Sequence, residues 1–85
     1  MYTIRATKQV DKVLKKLEKK NPKQVKIIFK KIEQISKNPY HFKPLRGDMH
    51  GARRVHIDKS FVLIYEIKDD IILLLDYADH DKIYE

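Results

Sequence analysis

Arg54 and His56 are the residues of this 85-residue chain whose types and spacing first suggest chemistry. They fall in residues 52–58, where polar and apolar residues alternate as they do along a strand. Both should therefore project from the face opposite Val55 and Ile57. An imidazole can accept or donate a proton near neutral pH, and a guanidinium supplies fixed positive charge in a fork that fits phosphate. We expect any chemistry to lie on that open face.

The histidines do not suggest a metal site. His41 and His50 have no recognisable ligand spacing with His56 or His80, and the chain contains no cysteine. No His-x-x-x-His pair occurs either. The sequence therefore predicts neither a bound metal nor a cofactor.

The positive charge is concentrated in the first half of the chain. Residues 1–46 hold fourteen basic and three acidic residues, a net of +11, whereas residues 47–85 have a net of −4, which gives +7 in all. A basic half of this strength favours a polyanionic partner such as nucleic acid. The alternative is an ordinary solvated, lysine-rich helical surface.

Length and composition predict a single domain, residues 1–85, with a modest core. The longest apolar runs, residues 61–65 and 71–75, are far shorter than the ~20 residues that a membrane span needs. The N-terminus becomes charged too early for a signal peptide. The lack of cysteine is compatible with a reducing cytoplasm, which is where we expect the protein.

Two amphipathic helices are predicted in the basic half. Thr7 suits the N-cap of a helix that begins near Lys8, and Asn21-Pro22 ends this helix and starts the next. Asn38-Pro39 then stops the second helix. Apolar residues recur at helical spacing in both segments, at Val10, Val13, Leu14 and Leu17, then at Val25, Ile28, Phe29, Ile32 and Ile35. The short turn between them predicts an antiparallel hairpin.

Strands account for most of the remaining chain. Residues 2–5 predict a short strand, and residues 52–58, 61–67 and 71–78 predict an antiparallel meander with short turns. The almost continuous apolar run 71–78 is typical of a central strand buried on both faces, and residues 80–84 suggest one helical turn. The predicted class is α+β, in the order β-α-α-β-β-β, with the hairpin packed on one face of a small, mainly antiparallel sheet.

Four short stretches carry a resemblance to a known family: 43–47 (KPLRG), 51–57 (GARRVHI), 63–67 (LIYEI) and 80–84 (HDKIY). Together with the element order, they resemble the RelE/ParE toxin superfamily, and most closely its YafQ-like branch. The resemblance implies the RelE-like microbial RNase fold and a toxin of a type II toxin–antitoxin system. It also implies metal-independent cleavage of messenger RNA on the ribosome by attack of the 2′-hydroxyl, and inhibition by a small acidic antitoxin.

The resemblance also assigns roles to individual residues. His56 and His80 match the functional histidines of the family, and Arg54 would stabilise phosphate charge. Tyr84 would stack on a base or lend its hydroxyl to proton transfer, unless it only packs on a sheet edge. Contacts with RNA are expected from the basic residues in and before the strand, Lys43, Arg46 and Arg53, although Arg53 could instead pair with an acid at the sheet edge.

Three positions depart from the family pattern. Many relatives have an arginine at the position of Val62, an aspartate near Ser60 and an arginine close to Asp76. The phosphate-stabilising cations must then come from elsewhere, such as Arg54 or Arg46. Two alternatives stay open: a ParE-like inhibitor of DNA gyrase, which would not need paired histidines, and a degenerate toxin that only binds its antitoxin or nucleic acid.

Overall fold

A computed structural model of the chain describes residues 2–44 and 51–79. Its elements follow the order β-α-α-β-β-β, as predicted, and most strand ends lie within one residue of the expected positions. The elements are β1 (Thr3–Ala6), α1 (Lys8–Lys20), α2 (Pro22–Lys37), β2 (Ala52–Ile57), β3 (Phe61–Lys68) and β4 (Ile71–Asp79). The predicted helical turn in the tail lies outside the described residues.

Both helices begin at the predicted caps. The Thr7 hydroxyl accepts a hydrogen bond from the Val10 N–H at 3.3 Å, and the Asn21 side-chain oxygen accepts one from the Gln24 N–H at 3.2 Å. Each bond satisfies an N–H that has no partner within its helix. Pro22 occupies the first turn of α2, where its missing N–H costs nothing. Neither α1 nor α2 is long and apolar enough to cross a membrane.

The four strands form one sheet in the order β1-β4-β3-β2. β1 runs parallel to β4, whereas β4, β3 and β2 pair antiparallel, so β2 is an edge strand. The helical hairpin covers one face, with α1 against β4 and α2 against β2. The main core lies between these layers and contains Val10, Ile28, Ile35, Val55, Ile57, Leu63, Tyr65, Ile72, Leu74 and Tyr77.

The prediction that β4 is buried on both faces is wrong. Its helix-facing residues, such as Ile72 and Leu74, are buried, but Leu73 and Leu75 on the other side are only half-buried. The reason is that both described helices lie on the same face of the sheet. β3 is the strand buried on both faces, because Val62 and Ile64 form a second small cluster with Ala52.

Candidate functional site

The edge strand β2 divides its side chains between two environments. Val55 and Ile57 join the core under the helices. Arg54 and His56 pair with Ile64 and Val62 of β3, whose side chains belong to the cluster on the opposite face. His56 is exposed and Arg54 is half-buried. The two residues singled out from the sequence thus lie on the face away from the helices.

The segment that follows α2, residues 39–44, is fastened to the sheet by two side chains. The Tyr65 hydroxyl donates a buried hydrogen bond to the Pro39 carbonyl at 2.6 Å. Arg53 Nη1 donates to the Phe42 carbonyl at 2.6 Å and to the Tyr40 carbonyl at 3.3 Å. The Arg53 guanidinium also lies over the Tyr40 ring, 5.2 Å from its centroid. These contacts fix the orientation of three carbonyls that belong to no helix or strand.

Backbone pairing brings the end of the same segment against the outer edge of β2. The Arg54 N–H donates to the Lys43 carbonyl at 3.1 Å, and Pro44 forms an isolated antiparallel bridge with Arg53. The segment therefore runs beside the edge strand at the level of Arg54. Lys43 is placed next to the open face by main-chain geometry.

An open pocket of about 460 Å³ lies between α2, this segment and β2. It holds three permanent cations and two imidazoles, and no carboxylate occurs among the described residues that line it. A pocket of this size is large enough for a small ligand or one nucleotide unit. Its lining residues are Lys31, His41, Phe42, Lys43, Arg54, Val55 and His56.

Three of the residues predicted from the sequence meet in this pocket: His56, Arg54 and Lys43. Arg53 does not line it, because its guanidinium points to the 39–44 segment on the helix side. His80, Tyr84 and Arg46 lie outside the described residues. The expected convergence of His56 with His80 therefore stays a prediction.

Lys31, His41 and Phe42 belong to the pocket but were not selected from the sequence. Lys31 is one of many lysines on the two helices, and nothing in the helical periodicity marks it out. His41 lies outside the predicted helices and strands, and its spacing to the other histidines suggests no metal site. No group of three or more possible metal-ligating side chains occurs among residues 2–44 and 51–79.

The structure shows where the three residues that depart from the family pattern lie, namely Val62, Asp76 and Ser60. Val62 is fully buried and packs in the second cluster. Asp76 follows a bulge in β4, and its Oδ1 accepts hydrogen bonds from Gln9 Nε2 at 2.9 Å and from the Tyr77 N–H at 2.8 Å. Ser60 is exposed in the turn between β2 and β3. The pocket cations come instead from Lys31, Lys43 and Arg54.

Two buried tyrosines have perturbed acidity but lie outside this pocket. Burial raises the pKa of Tyr65 to about 12, and the nearby positive charge of Arg53 partly opposes that rise. Burial, with a smaller contribution from Asp58, raises the pKa of Tyr77 even further. Both phenols therefore stay protonated at physiological pH, and neither lines the pocket.

Comparison with solved structures defines the class of fold. The YoeB/ParE toxin from Agrobacterium tumefaciens superposes with a TM-score of 0.84 at 17% identity, over 94% of this chain and 99% of that one. A chain of the Escherichia coli DinJ–YafQ complex superposes with a TM-score of 0.73 at 21% identity, over the full length of both. The two helices on a four-stranded mixed sheet are thus the fold that these two solved structures share.

Sequence comparison identifies the family within that class. The family described as the bacterial toxin of type II toxin–antitoxin system, YafQ, matches residues 2–85. A protein named RelE4 from Methanocaldococcus jannaschii is 42% identical over 87 residues, which span 100% of this chain and 93% of that protein. The chain therefore belongs to the YafQ family of toxins.

Proposed function

We propose that this toxin is an endoribonuclease that cleaves messenger RNA on the ribosome without a metal ion. The observation that carries the proposal is the pocket beside β2, where His56 shares one surface with Lys31, Lys43 and Arg54. Imidazole supplies proton transfer at neutral pH, and fixed cations stabilise charge that develops on a phosphate. The family of toxins to which the chain belongs supports the same reading.

The reaction proposed is an internal transfer of the phosphodiester. A base removes the proton of the 2′-hydroxyl as the O2′–P bond forms, and the P–O5′ bond breaks as an acid gives a proton to the leaving 5′-oxygen. The products are a 2′,3′-cyclic phosphate and a 5′-hydroxyl, and no water or oxidant is consumed. We assign one of the two proton transfers to His56, and we assign stabilisation of the phosphorane charge to Arg54 and Lys43.

The remaining sequence-based assignments stay part of the proposal. His80 and Tyr84 would act from the C-terminal end of the sequence as further proton-transfer or base-stacking groups, and Arg46, which precedes β2 in the sequence, would contact RNA. Arg53 is better explained as a support of the 39–44 segment than as an RNA contact, because its guanidinium already donates to two carbonyls.

The wider surface fits a large polyanionic target. Apart from two exposed i, i+4 pairs, Lys15 with Asp11 and Lys37 with Glu33, the described helices present lysines with few acids nearby. Ribosomal RNA has the charge that such a surface attracts, and its attraction should weaken with salt. Action on ribosomes would place the toxin in the cytoplasm.

An acidic antitoxin is the expected protein partner. Solved relatives include complexes of YafQ with DinJ and of YoeB with YefM. A negatively charged partner would associate quickly with the basic half of this chain, and it would inhibit the enzyme if it covered the pocket. Mixing the toxin with the product of a neighbouring reading frame and measuring both binding and message cleavage would test this.

The proposal is tested by inducible expression followed by primer extension on a reporter message. Wild-type protein should produce new 5′ ends within translated codons, whereas His56→Ala should not, although it folds. A matched control is Lys59→Ala, which removes an exposed side chain in the turn after β2. If wild-type protein leaves messages intact and instead blocks DNA supercoiling, the chain is a gyrase inhibitor and the proposal is wrong.

A further inference from the structure

We propose that His41 is a second proton-transfer residue of this pocket and acts with His56 on the same phosphodiester; the inference rests on the proposed endoribonuclease function. His41 and His56 line the one pocket from different elements, His56 from β2 and His41 from the segment after α2. No other histidine occurs in the described part of the chain. The observation that carries the inference is that this loop histidine is held in place.

The backbone around His41 is fixed on both sides. Arg53 Nη1 donates to the carbonyls of Tyr40 and Phe42, the residues directly before and after it. The His41 N–H itself donates to the Asn38 carbonyl at 3.2 Å, which continues the end of α2. An exposed loop residue usually loses conformational entropy when it binds a substrate. Here the segment around His41 is already held by hydrogen bonds in the free protein, so that cost is smaller.

The imidazole is also oriented by an aromatic contact. The rings of His41 and Phe42 meet edge to face, with centroids 5.1 Å apart and planes at 81°. Phe42 in turn meets the ring of Tyr65 at 6.5 Å and 89°. The Tyr65 hydroxyl is itself hydrogen-bonded to the Pro39 carbonyl. Side-chain contacts therefore connect β3 to the His41 imidazole without a gap. Such support is what a functional side chain on a loop requires.

The chemistry needs two proton-transfer groups at different places. In an in-line displacement the attacking 2′-oxygen and the leaving 5′-oxygen stand on opposite sides of phosphorus. One imidazole takes the proton from the 2′-hydroxyl as the O2′–P bond forms. The other gives a proton to the 5′-oxygen as the P–O5′ bond breaks. Imidazoles on two sides of one pocket can reach the 2′-oxygen and the 5′-oxygen at the same time. A single histidine on β2 could not.

The charged groups that line the pocket with His41, among the described residues, are all basic. The titratable and charged groups that line the pocket with it, among the described residues, are Lys31 of α2, Lys43 of its own segment, and Arg54 and His56 of β2. A phosphate that enters the pocket would therefore meet only basic groups among the described lining residues.

The experiment measures cleavage of a ribosome-bound message by purified protein under single-turnover conditions, as a function of pH. His41→Gln should lower the maximal rate by about 10²–10⁴-fold, the usual contribution of a positioned acid or base. It should also remove one limb of the bell-shaped pH profile. His41→Lys supplies a positive charge without an imidazole and should not restore the rate. Tyr40→Leu is the control, because it disturbs the same segment without removing a proton-transfer group.

A message with sulfur in place of the scissile 5′-oxygen sharpens the test. Its leaving group needs no proton, so it should restore cleavage to whichever of His41→Gln and His56→Ala lacks the acid, and not to the other. Rescue of neither variant contradicts the scheme. So does a His41→Gln protein that cleaves within threefold of wild type or changes only KM. If wild-type protein fails to cut any message, the proposed function itself fails, which is a distinct result.

Discussion

Arg53 and Arg54 are neighbours in β2, yet they serve two different regions of the molecule. Arg53 lies on the helix side, where its guanidinium binds two carbonyls of the 39–44 segment. Arg54 lies on the opposite face and lines the basic pocket with His56. The same residue type thus supports a loop segment on one face of the strand and lines the pocket on the other. An edge strand can divide support and chemistry between alternate positions.

That division gives each region its own experimental signature. Substitutions on the pocket side should lower cleavage more than stability. Substitutions on the helix side should lower stability first and should affect cleavage through the displaced segment.

Among the substitutions that test this contrast, the largest effect is expected from Arg54→Gln. Loss of one group that stabilises developing charge typically costs about 10²–10³-fold in rate, and we expect a loss of that size in single-turnover cleavage. Thermal unfolding should show a smaller change than for Arg53→Met. Normal cleavage by Arg54→Gln would mean that the pocket cations do not act on the phosphate.

Arg53→Met should have the next largest effect, this time on stability. A half-buried hydrogen bond from a charged donor contributes about 1.5–3 kcal/mol, so denaturant unfolding should show a loss of roughly 2 kcal/mol. Cleavage should fall as well, because the 39–44 segment loses its attachment. If Arg53→Met keeps full stability and loses only RNA binding, Arg53 is the RNA contact that the sequence suggested, and the contrast with Arg54 disappears.

Two tyrosines on the helix side refine the comparison. The hydroxyl of Tyr65 is bonded to Pro39, whereas the buried hydroxyl of Tyr77 has no hydrogen-bond partner among the described residues. Tyr65→Phe leaves the Pro39 carbonyl without its donor, so we expect it to cost about 1–2 kcal/mol in denaturant unfolding. Tyr77→Phe should be neutral or slightly stabilising, since it removes an unsatisfied polar group. Equal losses of stability in the two variants would argue against a stabilising hydrogen bond from Tyr65 to Pro39.

Tyr65 also predicts how the stability of the fold should change with pH. Because the pKa of Tyr65 is raised to about 12 in the folded protein, the folded state holds this proton more tightly than the unfolded chain does, whose tyrosine pKa is about 10. The stabilisation is therefore complete below pH 10 and is lost as the pH rises toward 12. Urea unfolding across this range should show a shallower decline for Tyr65→Phe than for wild type.

The smallest effect is expected from Lys31→Ala, with Lys30→Ala as its matched control. Lys31 lines the pocket, whereas the adjacent Lys30 is an exposed helix residue that does not. Loss of one phosphate contact should reduce the slope of log affinity against log salt concentration by about 1. Filter binding of toxin to RNA at several salt concentrations would measure this. Equal slopes for the two variants would remove Lys31 from the site.

Much of the fold could be predicted from local chemistry. Thr7, Asn21 and Pro22 fix helix ends by interactions within a few residues, and the alternation in β2 fixes which side Arg54 and His56 take. The burial of β4 could not be predicted, because a run of apolar residues does not reveal which faces other elements cover. An apolar strand at the centre of a sheet can still have one open face.

The candidate site could be predicted only where it lies on a regular strand. His56 and Arg54 were found because a strand has a fixed period. Lys31 and His41 join them through contacts between distant parts of the chain, above all the bonds from Arg53 and Tyr65 to the 39–44 segment. No local pattern encodes where such a segment is fastened, so this part of the pocket required the structure.

The most direct test of the central claim is the chemistry of the ends that purified toxin leaves on a ribosome-bound message. Metal-independent attack by the 2′-hydroxyl predicts a 2′,3′-cyclic phosphate on the upstream fragment and a 5′-hydroxyl on the downstream fragment, and it predicts that His56→Ala forms neither. A 3′-hydroxyl with a 5′-phosphate, or unchanged cleavage by His56→Ala, would contradict the account.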